Sequence, residues 1–429
     1  MLFNNKTEQT KKYVVGFDLQ DDFCQMSYYL DDTRIVGREP VTYSTVKGQE
    51  NFDIPAVLCK KTGTNQWFCG KEAQDAAQRG EGTLVVRLLS QALDGRPVHI
   101  EDADYDPAAL LSLFINRCLL MLGPAIPIEQ ILAVMFTVEP MSDQLISILE
   151  SVRERLRIPA EFAYQSYGAS FYDYLLIQPE EFREKSVLMC EWKEDRPLRI
   201  RKMIYNKRTT PIVAFQEEQE YPPLERADLT LRDEQFNKIL DEQYRSGTVI
   251  SAAYLIGDGF KGNWMKTSLL TLCRAGRVFQ GNNLFGKGAA IGALLRIKDI
   301  KGTEKYFFLS DDKLKCNVGI RAYAHGQEVY LPLVDAGMPW YDVHSQTDII
   351  LENENELQLI LTPLTGQKPD SFLIRLENLP KREGRCTRLR LTFNMTGVRR
   401  LHLIIEDLGF GEIFPATGYK WEQNITLRQ

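Results

Sequence analysis

The sequence predicts an α/β region over residues 1–305 followed by an all-β sandwich over residues 306–429. Three observations carry this reading. Short apolar runs alternate with segments of helical period through the first region. Beyond it the helical period disappears and alternation at every second residue takes over. Late in the first region, residues Ala253 to Leu295 run as a strand, a glycine turn, a helix, a short strand, an Asn282-Asn283 loop and a helix dense in small residues (Gly288, Ala289, Ala290, Gly292, Ala293).

The elements follow in order. VVGFDL (Val14 to Leu19) is an apolar strand ending at an acid, and the Gln20-Asp21-Asp22 turn returns the chain through Phe23 to Leu30 as a hairpin. Ile54 to Cys59 and Gln66 to Cys69 form a second hairpin, with a helix opening at Gly70. Pro107 starts a buried helix, where a first-turn proline costs no hydrogen bond. Its apolar stretch is too short, and too polar at Asn116 and Arg117, to span a bilayer. QILAVMFTV (Gln130 to Val138) reads as a strand buried on both faces; Pro140 stops it and Ser142-Asp143 caps a helix. A short strand at Phe162, a helix over Gly168 to Gln178 and a strand over Ser186 to Trp192 follow. Gln216 to Asp228 is acidic and contains proline, and is expected to be a surface loop before a helix at Arg232 to Arg245. In the β region Leu357, Leu359 and Leu361, then Leu389, Leu391, Phe393 and Met395, then Leu401, Leu403 and Ile405 alternate with other residues, with turns at Gly366, Gly384 and Gly397.

Composition narrows the function classes. Lys plus Arg number 52 against 58 Asp plus Glu, a net charge of −6, which supplies no basic field for nucleic acid. Eight cysteines without a CxxC pair read as reduced thiols in a cytoplasmic protein. The polar N-terminus lacks the apolar core of a signal peptide, and no membrane span is expected. His99, His325, His344 and His402 show no zinc-ligand spacing, and there is no GxxxxGK[ST] loop. Arg388 and Arg390 on an outer strand face read as solvated side chains before an anion site, and Trp340 as core before a groove wall.

The order within residues Ala253 to Leu295 resembles the adenosine-binding corner of the actin/hexokinase/heat-shock-chaperone (DnaK-like) ATPase superfamily. VVGFDLQDDF resembles its first phosphate-binding hairpin, and LAVMFTVEP its strand before a helix. FLIRLENLPKREGRCTRLRLTFNMTGVRRLHLIIEDLGFGE resembles the last hairpins of the chaperone's peptide-binding β-sandwich, with no helical lid expected after Gln429. The resemblance implies a two-lobed actin-like ATPase domain and ATP with Mg²⁺ in its cleft. Asp18 falls on the metal-organising acid, Arg87 on a basic residue that reaches the phosphates, and Glu191 on the acid of the second phosphate hairpin. Gly257, Asp258 and Gly259 fall beside the purine.

The departures from that pattern are chemical. Gln20, Asp21 and Asp22 replace the first turn's glycine and hydroxyl residues, and acids there repel phosphate. Trp192, Lys193, Glu194 and Asp195 replace the second hairpin's glycines, so side chains hinder close backbone approach. Gln165 stands where the chaperones place a catalytic carboxylate, and a neutral amide cannot act as a base. Two functions are therefore expected. One is a chaperone-related protein that binds ATP, hydrolyses it weakly or not at all, and holds a peptide or protein partner on its sandwich. The other is a pseudo-ATPase scaffold or assembly protein that no longer binds nucleotide. A sugar or metabolite kinase is disfavoured, since no catalytic aspartate is evident near the cleft.

Overall fold

The structure is a computed structural model that describes residues 12–30, 38–123, 126–194, 196–245, 247, 249–324, 326–352, 355–364, 368–382 and 385–427. Asp195, His325 and the expected turns at Gly366 and Gly384 lie outside the described residues. The chain separates into two compact units, 1–308 and 309–429.

The first unit opens on an antiparallel meander, β1 (Tyr13–Leu19), β2 (Phe23–Leu30) and β3 (Val41–Thr42), with β4 (Ile54–Pro55) also paired to β2. A small sheet of β5 (Leu58–Lys61), β6 (Trp67–Cys69) and β7 (Gly82–Val85) follows, with α1 (Lys71–Gln78) between its last two strands and α2 (Leu88–Asp94) after it. After the β8 (Val98–Ile100) and β9 (Ala103–Tyr105) hairpin comes α3 (Pro107–Leu122), capped by the Asp106 carboxylate and buried along most of its length. Then β10 (Ile131–Thr137), α4 (Asp143–Leu156), β11 (Glu161–Gln165) and α5 (Tyr167–Leu176) complete this half. Its main sheet has the order β11-β10-β1-β2-β3, with β10 and β11 parallel to β1.

The second half repeats this plan. β12 (Ser186–Glu191), β13 (Leu198–Asn206) and β14 (Ile212–Tyr221) form an antiparallel meander. After α6 (Leu229–Arg245), β15 (Ile250–Ile256) lies parallel to β12; after α7 (Thr267–Ala275), β16 (Arg277–Gly281) lies parallel to β15. The order β16-β15-β12-β13-β14 is thus the first sheet's order and sense again. α8 (Leu284–Ile297) follows, and β17 (Tyr306–Phe308) extends the sheet beyond β14 and keeps residues 306–308 with this unit.

The expected loop over Gln216 to Asp228 is corrected: as far as Tyr221 it is strand β14. Its acids are matched by bases on β13, with Glu217, Glu218 and Glu220 in register against Lys202, Arg201 and Arg199.

The two halves exchange helices. α5, which follows the last strand of the first sheet, packs Tyr167, Phe171, Tyr174 and Leu175 with Val187, Met189, Met203 and Tyr254 of the second. α8, which follows the last parallel strand of the second, packs Ala289, Ile291, Ala293 and Leu294 with Val14, Ala133, Met135 and Ala163 of the first. This explains the small residues of α8. A Cβ at Gly16 would stand 2.1 Å from the Ala290 nitrogen, and one at Gly288 would stand 2.0 Å from the Ser170 carbonyl oxygen.

The second unit contains β18 (Cys316–Ala324), β19 (Gln327–Val334), β20 (His344–Leu351), β21 (Glu356–Pro363), β22 (Asp370–Arg375), β23 (Thr387–Met395), β24 (Arg400–Asp407) and β25 (Lys420–Thr426). They form two antiparallel four-stranded sheets, β19-β18-β21-β22 and β20-β23-β24-β25. Leu357, Leu359 and Leu361 of the first and Leu389, Leu391, Phe393, Leu401, Leu403 and Ile405 of the second are buried, so each sheet has one apolar face. Arg390 pairs with Asp348 across the strands at 2.9 Å. Trp340 is buried against Tyr341. Asp407 anchors the turn after β24. Its buried carboxylate accepts both guanidinium arms of Arg382 at 2.7 Å, the Gly409 and Thr417 N–H groups at 3.0 Å and the Thr417 hydroxyl at 2.7 Å. Burial alone would raise its pKa, but these donors outweigh burial and hold the carboxyl well below the usual carboxylate range.

Two outcomes follow from this packing. Gly16→Ala should destabilise the first unit by about 1–3 kcal/mol through overpacking, whereas Gly281→Ala, whose nearest neighbour to a new Cβ is 3.9 Å away, should be near neutral; thermal denaturation compares them. Asp407→Ala leaves Arg382 buried without its partner and should cost about 3–5 kcal/mol. Because the folded pKa of Asp407 is depressed, its contribution is complete above the unfolded carboxylate pKa of about 4 and is lost as pH falls below it, so the wild-type and variant unfolding curves should converge in acid.

Candidate functional site

β1 and β12 are the first strands of the two sheets, and each ends on an acid-bearing segment followed by a turn. Two cavities of ≈ 460 Å³ and ≈ 160 Å³ lie between these ends and share Gln20, Glu191 and Lys193 in their walls. The larger is also lined by Asp21, Ser90, Glu139, Tyr167, Arg196 and Arg199. The smaller is lined by Asp18, Asp53, Gly257, Asp258 and Asn282, among others.

Asp18 is buried at the end of β1. It accepts the Tyr167 hydroxyl at 2.6 Å and the Gln20 amide at 3.2 Å. Burial pushes its pKa up to about 7; the bonds from Tyr167 and Gln20 oppose this, and nearby Glu191 adds to it. Across the cleft, Arg201 of β13 is fully buried among three carboxylates, with Glu191 at 2.5 Å, Glu218 at 2.8 Å and Glu139 at 3.6 Å. Glu139 follows β10, accepts the Tyr167 N–H at 3.1 Å and has its pKa raised by burial against the opposing pull of Arg201. Arg201, Glu139 and Tyr167 thus join the two halves beneath the cavities.

The two turns meet each other directly. Asp22 pairs with Arg196. The Lys193 ammonium lies 3.6 Å from the centre of the Phe23 ring. Asp21 accepts the Ser90 N–H at 2.8 Å and the Ser90 hydroxyl, so its carboxylate sits at the first turn of α2, where the free amide groups favour an anion. The acids of the first turn are therefore engaged by the protein's own donors.

The other predicted residues fall in different places. Glu191, Gln20, Asp21, Gly257 and Asp258 line one or both cavities. Arg87 and Gly259 line neither. Arg87 is a left-handed residue (φ 55°) preceding α2, its side chain is 69% exposed, and its guanidinium reaches Asp21 only at 3.9 Å. The glycines at 257 and 259 are accounted for by Trp192. A Cβ on Gly257 would stand 2.0 Å from the Trp192 carbonyl oxygen and one on Gly259 would stand 2.4 Å from the Trp192 ring, while the Gly259 N–H donates to that same carbonyl at 3.2 Å. Gln165 is buried away from both cavities. It donates to Thr137 at 3.1 Å, and its amide oxygen lies 2.4 Å from where a Cβ on Gly292 would be. Tyr167 and Arg201 were not singled out in the sequence, and Glu139 was present only as part of the LAVMFTVEP strand end. The one signal for Arg201 is the alternation Arg199, Arg201 facing an acidic stretch.

Among the described residues no group of three or more His, Cys, Asp or Glu is arranged to hold a metal ion. Asp18 already carries two hydrogen-bond donors.

Residues 39–311 match the C-terminal part of a family of unknown function, DUF5716. That match covers more than half of the chain, and the protein belongs to this family. Residues 313–427 match a domain of unknown function, DUF8552. No curated protein matches the chain. Among the described residues no helix is long and apolar enough to cross a membrane.

The raised pKa of Asp18 has a measurable consequence. The folded chain keeps this proton to about pH 7, while the unfolded carboxyl releases it near pH 4. Stability should therefore fall by about 2–4 kcal/mol between about pH 4 and 7 from this group alone, and level off above. Asp18→Asn should remove that part of the slope when the unfolding midpoint is followed against pH.

Proposed function

We propose that this protein is a divergent relative of the actin/heat-shock-chaperone ATPases that works as a nucleotide-independent scaffold. In this reading the second unit, a β-sandwich, presents its surface to a peptide or protein partner. The doubled strand order and the exchanged helices support the class. One observation carries the loss of nucleotide: the two turns that hold phosphates in that class are joined here to each other, through Asp22 with Arg196 and Lys193 with Phe23. Asp21 and Trp192 occupy two further positions where phosphate oxygens and a purine require free backbone. The absence of a base at Gln165, and its burial, argue against hydrolysis in either case. Eight free thiols, six of them buried, support a reducing compartment such as the cytoplasm.

A second reading, an ATP-binding chaperone-like protein with slow or no turnover, is favoured by one feature. The ≈ 460 Å³ cavity has Lys193, Arg196 and Arg199 in its wall, which are cations suited to phosphate. Isothermal titration with ATP and Mg²⁺ separates the two. The scaffold reading expects no heat and no thermal stabilisation at millimolar nucleotide. Saturable heat would overturn it in favour of the second reading.

A further inference from the structure

We infer that Lys193 is a covalent attachment site for a small anionic aldehyde. Its amine forms an imine in the ≈ 460 Å³ cavity, where Arg196 and Arg199 hold the ligand's anionic group. This rests on the scaffold reading, in which no nucleotide fills that cavity.

The placement of Lys193 suits a nucleophile. It follows β12, is partly buried, and stands in the walls of both cavities. Among the described residues it forms no ion pair, and its ammonium rests on the face of Phe23 at 3.6 Å. Burial draws its pKa down, and the like charge of Arg196 adds to this, against the pull of Asp53, Asp18 and Glu191. Lys60 is moved the other way by its Glu101 partner. More of the Lys193 amine is therefore unprotonated at neutral pH, the form that attacks a carbonyl carbon. Desolvation and a neighbouring cation are the two devices that activate a lysine in this way.

The charges left free in the cavity set the sign of the ligand. Of its acids, Asp21 accepts from Ser90, and Glu191 and Glu139 face Arg201. Arg196 pairs with Asp22, and Arg199 with Glu220 at 3.1 Å and Glu218 at 4.0 Å. None of those three partners lines the cavity, and such exposed pairs are weak. A phosphate or carboxylate in the cavity therefore meets guanidinium groups that are free to take it. The Arg196 N–H donates to the Lys193 carbonyl at 2.8 Å, which fixes amine and guanidinium on neighbouring backbone.

Glu139 supplies the proton that imine formation needs. It stands in the same wall, and burial raises its pKa. The Lys193 lone pair adds to the carbonyl carbon, and a proton moves from nitrogen to the carbonyl oxygen, giving a carbinolamine. The Glu139 carboxyl protonates that hydroxyl, which leaves as water while the C=N bond forms. The remaining proton on nitrogen returns to Glu139. Aldehyde and amine thus become imine and water with no further reactant. The volume lies within the range of small-molecule sites.

The test is incubation of the full chain with pyridoxal phosphate, borohydride reduction and peptide mapping by mass spectrometry, with pyridoxal as the probe lacking phosphate. Lys193 should carry most of the label. Lys193→Arg keeps a cation over Phe23, so it should keep the wild-type unfolding temperature and lose that label. The preference for Lys193 over the other lysines should fall about tenfold with pyridoxal, for want of the charge-assisted bonds. Arg199→Gln should lower the preference for Lys193 with pyridoxal phosphate in the same direction. Label spread over the lysines without preference for Lys193, or the same preference with both probes, would overturn the inference. Either failure leaves the ATP titration unaffected, whereas heat from ATP would overturn the scaffold reading whatever the labelling shows.

Discussion

The first unit depends on the close approach of α8 to β1. Backbone meets backbone there: no side chain fits between Gly16 and Ala290, and α8 approaches α5 as closely, with none fitting between Gly288 and Ser170. Small residues allow the helix that ends the second half to lie on the first sheet, while α5 makes the reciprocal contact. This exchange removes the freedom of the two sheets to pack independently. It brings the ends of β1 and β12 to one cleft, so the residues after those strands meet whatever their chemistry. Larger side chains on α8 would separate the halves and dissolve the site.

Within the cleft, electrostatics decide which groups remain charged. Arg201 is fully buried, which is tolerated because Glu191, Glu218 and Glu139 surround it. Those acids are engaged by the chain's own cations, Glu218 also facing Arg199 at 4.0 Å. Asp18 receives no such partner, only hydrogen bonds from Tyr167 and Gln20, and burial raises its pKa.

Much of the architecture was legible in local pattern. Apolar runs located β1, β10, β12 and β15, and alternation located β21, β23 and β24. The places of Asp18 at a strand end and Gln20 in the turn after it were legible, and both line a cavity. β14 was misread because its glutamates look like a solvated loop; their partners sit on the neighbouring strand, invisible to any local window. Arg87 lines neither cavity; it stands in a left-handed conformation before α2 with its side chain largely exposed. Gly257 and Gly259 look the same in sequence whether they make room for a purine or for Trp192.

The sequence by itself determined where strands and helices form, which strand faces are apolar and which residues stand at strand ends, because these follow from neighbours a few positions apart. Only the tertiary structure decided which of those ends oppose each other. Tyr167 meets Asp18 across 149 residues and Arg196 meets Asp22 across 174. Those contacts depend on the exchanged helices, so the closure of the two turns on each other is a property of the folded chain alone.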